Sequence, residues 1–118
     1  MAPDEIVALL NQHRFRGMTE EHFQDAIDAI LAGSHVGYAR EERLTPRDRI
    51  DFLVGETGIE VKINGSPSEI VRQLGRYAAS ERVTALILAS SRIRLIQGIP
   101  ATIHGVPVHA VALRGGFL

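Results

Sequence analysis

Along the chain, apolar positions recur at helical spacing, change to strict alternation, and then return to helical spacing once. Residues 4–15 place Ile6, Leu9 and Leu10 on one side of a short helix. Thr19 stands where a cap is needed for a second helix over 20–33. Its apolar face is Phe23, Ala26, Ile27, Ile30 and Leu31, and Gly33 closes it. From 36 to 63 the period is two. "YAREERL", "RIDFLV" and "GIEVKI" then read as three strands joined by "TPRD" and "GETG".

"SPSEIVRQLGRYAASE" carries a helix start: Ser66 as cap, Pro67 at the first helical position and Glu69 completing a capping box. Ile70, Val71, Leu74 and Ala78 make the predicted buried stripe. "VTALILA" at 83–89 is apolar throughout, as a strand covered on both faces is. A loop with Gly98 and Pro100 leads to the last strand, "VPVHAVAL". The order α-β-β-β-α-β-β predicts an α/β domain with a mixed sheet flanked by helices. With no repeat or linker, residues 1–118 are expected to fold as one unit around one core.

Composition changes this picture in only a few places. A net charge of -1 argues against coating nucleic acid by bulk charge, though not against a local basic cleft. The absence of cysteine excludes disulfides and cysteine-ligated metal centres. No apolar run approaches a membrane span, and "MAPDEIVALL" has no signal-peptide pattern, so a cytoplasmic location is expected. The sharpest signal is a choice of cation. Lys62 is the single lysine among 13 basic residues, the others all arginine. An ammonium is a compact point charge, whereas guanidinium is a planar fork that never gives up its proton.

Strand parity surrounds Lys62 with acids. In "RIDFLV" the set Ile50, Phe52 and Val54 leaves Asp51 on the other face. In "GIEVKI" the set Ile59, Val61 and Ile63 leaves Glu60 and Lys62 there too. A four-residue "GETG" loop pairs Val54 with Ile59 and puts Asp51 opposite Lys62, with Glu60 diagonal at roughly 7–8 Å. Two carboxylates so placed can share Mg²⁺ or Mn²⁺, with the lysine serving water or phosphate. The plainer alternative is a solvated sheet face carrying an ordinary Asp51–Lys62 ion pair. On the following helix Gln73 and Tyr77 form one i, i+4 row and Arg72 and Arg76 another, flanking the apolar stripe. The arginines suit phosphate oxygens. His104 and His109 lack companion ligands at metal spacing and read as structural or surface residues.

Asp51, "IEVK" nine residues on, and the Gln73–Tyr77 helix together resemble the PD-(D/E)XK nuclease superfamily, in particular its RecB-like branch. The resemblance spans about residues 19–113, and Ile50 stands where the family motif has proline. It implies a restriction-endonuclease-like core and Mg²⁺-dependent hydrolysis of DNA phosphodiesters. It further implies that Asp51, Glu60 and the Val61 carbonyl hold metal while Lys62 serves the water or scissile phosphate. For the family's first-helix acid, Glu20 lies nearest the apolar face, with Glu21 and His22 as alternatives. A domain this small is expected to need a second copy or a partner protein to complete its DNA-binding surface. The rival expectation is a non-catalytic module of the same fold that binds nucleic acid or protein.

Overall fold

The computed structural model describes residues 1–115. Among these are four helices, α1 (Pro3–Asn11), α2 (Glu20–Gly33), α3 (Pro67–Ala78) and α4 (Ile93–Gln97). The strands are β1 (Ala39–Arg43), β2 (Arg49–Val54), β3 (Thr57–Val61), β4 (Ala85–Ser90), β5 (Thr102–Ile103) and β6 (Val106–Ala112). They form one six-stranded sheet in the order β1-β2-β3-β4-β6-β5. β1, β2 and β3 pair antiparallel, β3, β4 and β6 run parallel, and β5 returns antiparallel along β6. The chain is therefore an α/β fold with a mixed sheet. None of its helices among the described residues is long and apolar enough to cross a membrane.

Both sheet faces are covered. Phe52, Val54, Ile59, Val61, Ile87 and Ala89 pack with Ile6 and Leu10 of α1 and Phe23, Ile27 and Leu31 of α2. On the other face Ile50, Leu53, Leu86 and Leu88 pack with Ile70, Leu74 and Tyr77 of α3 and Leu95 of α4. β4 sends side chains into both layers and is buried at every position, which explains its unbroken apolar run. α3 starts as its capping box requires, with the Ser66 hydroxyl accepting the Glu69 N–H and the Glu69 carboxylate accepting the Ser66 N–H.

Several boundaries differ from the sequence expectation. α1 stops at Asn11 instead of 15, because the chain turns away and the Phe15 N–H bonds the Arg114 carbonyl at 2.8 Å. β1 is shorter than 38–44, β3 ends at Val61, and β4 is shifted to Ala85–Ser90. α4 and β5, five and two residues long, are too short for either period to register.

Two differences bear on the site. The β2–β3 turn has two residues, Gly55 and Glu56, with Val54 paired to Thr57. Gly55 has φ +61°, which suits glycine at the first position of a tight hairpin turn. The expected register was thus wrong by two residues. Alternation also breaks in β2, where Ile50 faces the α3 layer with Leu53 while Phe52 and Val54 face the other. Ile50 lies over Gly58, where an added Cβ would stand 2.3 Å from Ile50 Cδ1. Glu41, the β1 residue beside this break, is itself left-handed at φ +53°.

Candidate active site

At their open end β2 and β3 part. Their main-chain pairing runs from Val54–Thr57 to Phe52–Ile59, and beyond it carboxylates take the places of strand carbonyls. The Asp51 N–H donates to Glu60 Oε1 at 3.2 Å, and the Val61 N–H donates to Asp51 Oδ2 at 2.7 Å. A third carboxylate arrives from the first turn of α2, where Glu20 Oε2 accepts the Ile63 N–H at 3.0 Å. Thr19 caps that helix by accepting the His22 N–H, at 3.1 Å. Of the first-turn alternatives, Glu21 is exposed and His22 Nδ1 accepts the Met18 N–H at 3.1 Å, and it is Glu20 that bonds the chain just after β3.

Solvent reaches these acids unequally: Glu20 and Asp51 are half-buried and Glu60 is buried. Glu60 is 3% exposed, which removes the plain surface ion-pair alternative. Burial, and then the charge of Asp51, push the Glu60 carboxyl up to about 8. Burial raises Asp51 as well; the Val61 N–H and Lys62 pull it down, and Glu20 adds to the rise. Lys62 Nζ stands 3.5 Å from Glu60 Oε2, its neighbour two residues along the chain. This replaces the expected position opposite Asp51, because with the shorter turn Asp51 falls level with Glu60.

Tyr77 corrects another expectation. It is 1% exposed and belongs to the buried stripe, seven residues after Ile70, and does not flank it. Its hydroxyl accepts from Gln73 Nε2 at 2.8 Å and donates to the Arg49 carbonyl at 3.1 Å. Burial and then the nearby Glu60 charge hold the phenol well above its ordinary range. Gln73, Arg72, Arg76 and Lys62 line a cleft of about 340 Å³. Arg72 is exposed there, whereas Arg76 Nε is bound to Asp48 Oδ1 at 2.9 Å. His104, left-handed at φ +51°, and His109, whose Nδ1 is 3.8 Å from Asp4 Oδ1, stand apart from the acids.

Among the described residues no three Asp, Glu, His or Cys side chains already surround a single point as metal ligands would. The carboxylate oxygens are turned instead onto backbone N–H groups. The donor chemistry nonetheless suits a hard divalent cation. All available donors are oxygen, and two carboxyl groups stand close enough that each raises the cost of ionising the other, a cost that a cation would relieve. No protein family, curated protein or solved structure matches the chain.

Sequence patterning missed a second cleft. It measures about 790 Å³ and carries Arg16, Arg92 and Arg114, brought together from three distant segments. No periodic or spaced signal connects those positions.

Proposed function

We propose that this chain is a metal-dependent nuclease hydrolysing DNA phosphodiester bonds, with a restriction-endonuclease-like core of the PD-(D/E)XK kind. One observation carries the proposal. Buried Glu60 and half-buried Asp51 meet at the parted end of β2 and β3, with the lone lysine, Lys62, at 3.5 Å from Glu60. A structural ion pair has no need of two carboxylates, and their burial together costs stability.

Asp51, Glu60 and the Val61 carbonyl would hold Mg²⁺ or Mn²⁺, with Glu20 as the further acid. Bound there, the ion would neutralise charge on the phosphate and ease deprotonation of water. Glu60 must first release the proton that burial favours, so metal affinity rises with pH. Lys62 keeps a compact ammonium at the mouth, able to donate to a phosphate oxygen or to orient the attacking water. Arg72 offers a second cation in the same cleft. Gln73 and Tyr77 act as positioning residues. Their hydrogen-bond chain ends on the Arg49 carbonyl, two residues before Asp51, and fixes the entry into β2. A second copy of the chain or a partner protein would complete a surface broad enough for DNA.

The test is purified protein with Mg²⁺ or Mn²⁺ against linear, circular, single-stranded and branched DNA. Cleavage that a chelator stops and Glu60→Gln abolishes is expected. DNA binding without cleavage of any of the four would replace catalysis with a non-catalytic nucleic-acid-binding role.

A further inference from the structure

The cleft of about 790 Å³ lies where the carboxyl ends of β4 and β6 emerge, beside Ser90, Ala112 and Leu113. Open α/β sheets bind ligands outside the carboxyl ends of their strands. It adjoins the carboxylate centre through one residue. Ile63 lines it, and the Ile63 N–H is the group that Glu20 holds. Arg16, Arg92 and Arg114 are exposed around it, and none has a carboxylate within 4.0 Å among the described residues. This differs from Arg40, Arg49, Arg76 and Arg82, each of which is paired with an acid. Three unpaired guanidiniums in one concave site call for a polyanion.

The walls narrow the choice of polyanion. Met18 and Ile93 border the cleft at 86% and 59% exposure, two of the largest exposed apolar side chains in the described chain. A duplex presents phosphates outward and hides its bases, so it gains nothing from apolar walls. An unpaired strand offers base faces, which settle on apolar and guanidinium surfaces while its phosphates take the cations. Ser90 fixes the floor: its buried hydroxyl accepts the Arg92 N–H at 3.0 Å and holds the start of α4.

We propose that this cleft is a single-strand site that receives an unpaired DNA arm leading to or from the bond at the carboxylate centre. The inference deepens the nuclease proposal and rests on it for the identity of the ligand. It makes substrates with frayed or single-stranded ends the preferred ones.

Fluorescence anisotropy with a labelled single-stranded 12-mer and the matching blunt duplex, both in EDTA, tests the site without turnover. Replacing Arg16, Arg92 and Arg114 together by alanine should weaken single-strand binding by roughly 30-fold or more and duplex binding far less. The slope of log affinity against log salt should fall by about two for three lost phosphate contacts. Met18→Ser, at an exposed position, should cost single-strand affinity alone. Unchanged single-strand affinity in the triple variant overturns the proposal, and so does an equal loss for duplex and single strand. Asp51→Asn separates the two proposals, because it should keep the strand preference while losing Mn²⁺ binding. A wild type that binds the 12-mer selectively but neither binds Mn²⁺ nor cleaves would remove the nuclease proposal and leave the strand site standing.

Discussion

The two ends of the β2–β3 hairpin solve the same problem in opposite ways. At the closed end, Val54 and Thr57 pair across a two-residue turn, and main-chain groups bond one another between apolar side chains. At the open end, nine residues of separation are bridged by carboxylates that accept strand N–H groups. The closed end gains stability from standard pairing. The open end sets two carboxyl groups together in a poorly solvated place and raises the pKa of both. One ladder thus contains a stretch built for the fold and a stretch that burdens it, which is the usual mark of a site held for chemistry.

The comparison breaks first at Asp51. Asp51→Asn keeps an oxygen for the Val61 N–H yet removes the charge, so the strand should fold while metal binding fails. Cleavage should fall by about a thousandfold, the upper range for losing one charge-stabilising group. Calorimetric titration with Mn²⁺ beside a cleavage assay checks it; full metal affinity in the variant would show that the open end is structural.

Lys62→Arg should cost roughly a hundredfold in turnover with metal binding retained, because a planar fork cannot take the position of an ammonium 3.5 Å from Glu60. Near wild-type cleavage by the arginine variant would reduce the lone lysine to an accident of composition.

A pH series sharpens the contrast on stability. The Glu60 carboxyl is raised on folding from 4.5 to about 8, so the folded state holds a proton that the unfolded state releases in that window. Metal-free stability should therefore decline as pH rises from about 4.5 to 8, and Glu60→Gln should flatten the decline. At pH 8.5 the variant should melt about 5 °C above wild type, the shift that roughly 1 kcal/mol produces in a domain of this size. Parallel curves for the two proteins would remove the buried-charge account.

At the closed end effects should be smaller and confined to folding. Gly55→Ala, at φ +61°, should lose about 1 kcal/mol with unchanged Mn²⁺ affinity. A change in metal binding from that substitution would mean that the two ends are not independent.

What could be read beforehand followed how local each signal was. The Ser66–Glu69 capping box and the apolar run in β4 are contained in a few residues and survive intact. Facing carboxylates were legible because strand parity puts Asp51 of one strand and Glu60 of the next on the same face. Their register was not, since "GETG" can close with two loop residues or four, and only packing against β4 and β1 decides. Ile50 left its expected face because Gly58, on another strand, makes room for it. Tyr77 continues the Ile70–Leu74 stripe, but its polar hydroxyl drew it into a surface row until the Arg49 carbonyl accounted for it. The arginine cleft has no linear signature, because residues 16, 92 and 114 meet only when β4, β6 and the chain before α2 are assembled.

The Glu20 contact has a consequence for the order of assembly. Asp51 and Glu60 are nine residues apart and meet as soon as the hairpin closes, a microsecond event for an isolated hairpin. Glu20 and Ile63 are separated by 43 residues, and closing that span costs about 1.4 kcal/mol more in chain entropy. The third acid can take its place only after α2 has docked on the sheet. The acidic pair is thus a local feature of one hairpin, whereas the Glu20 contact depends on tertiary docking.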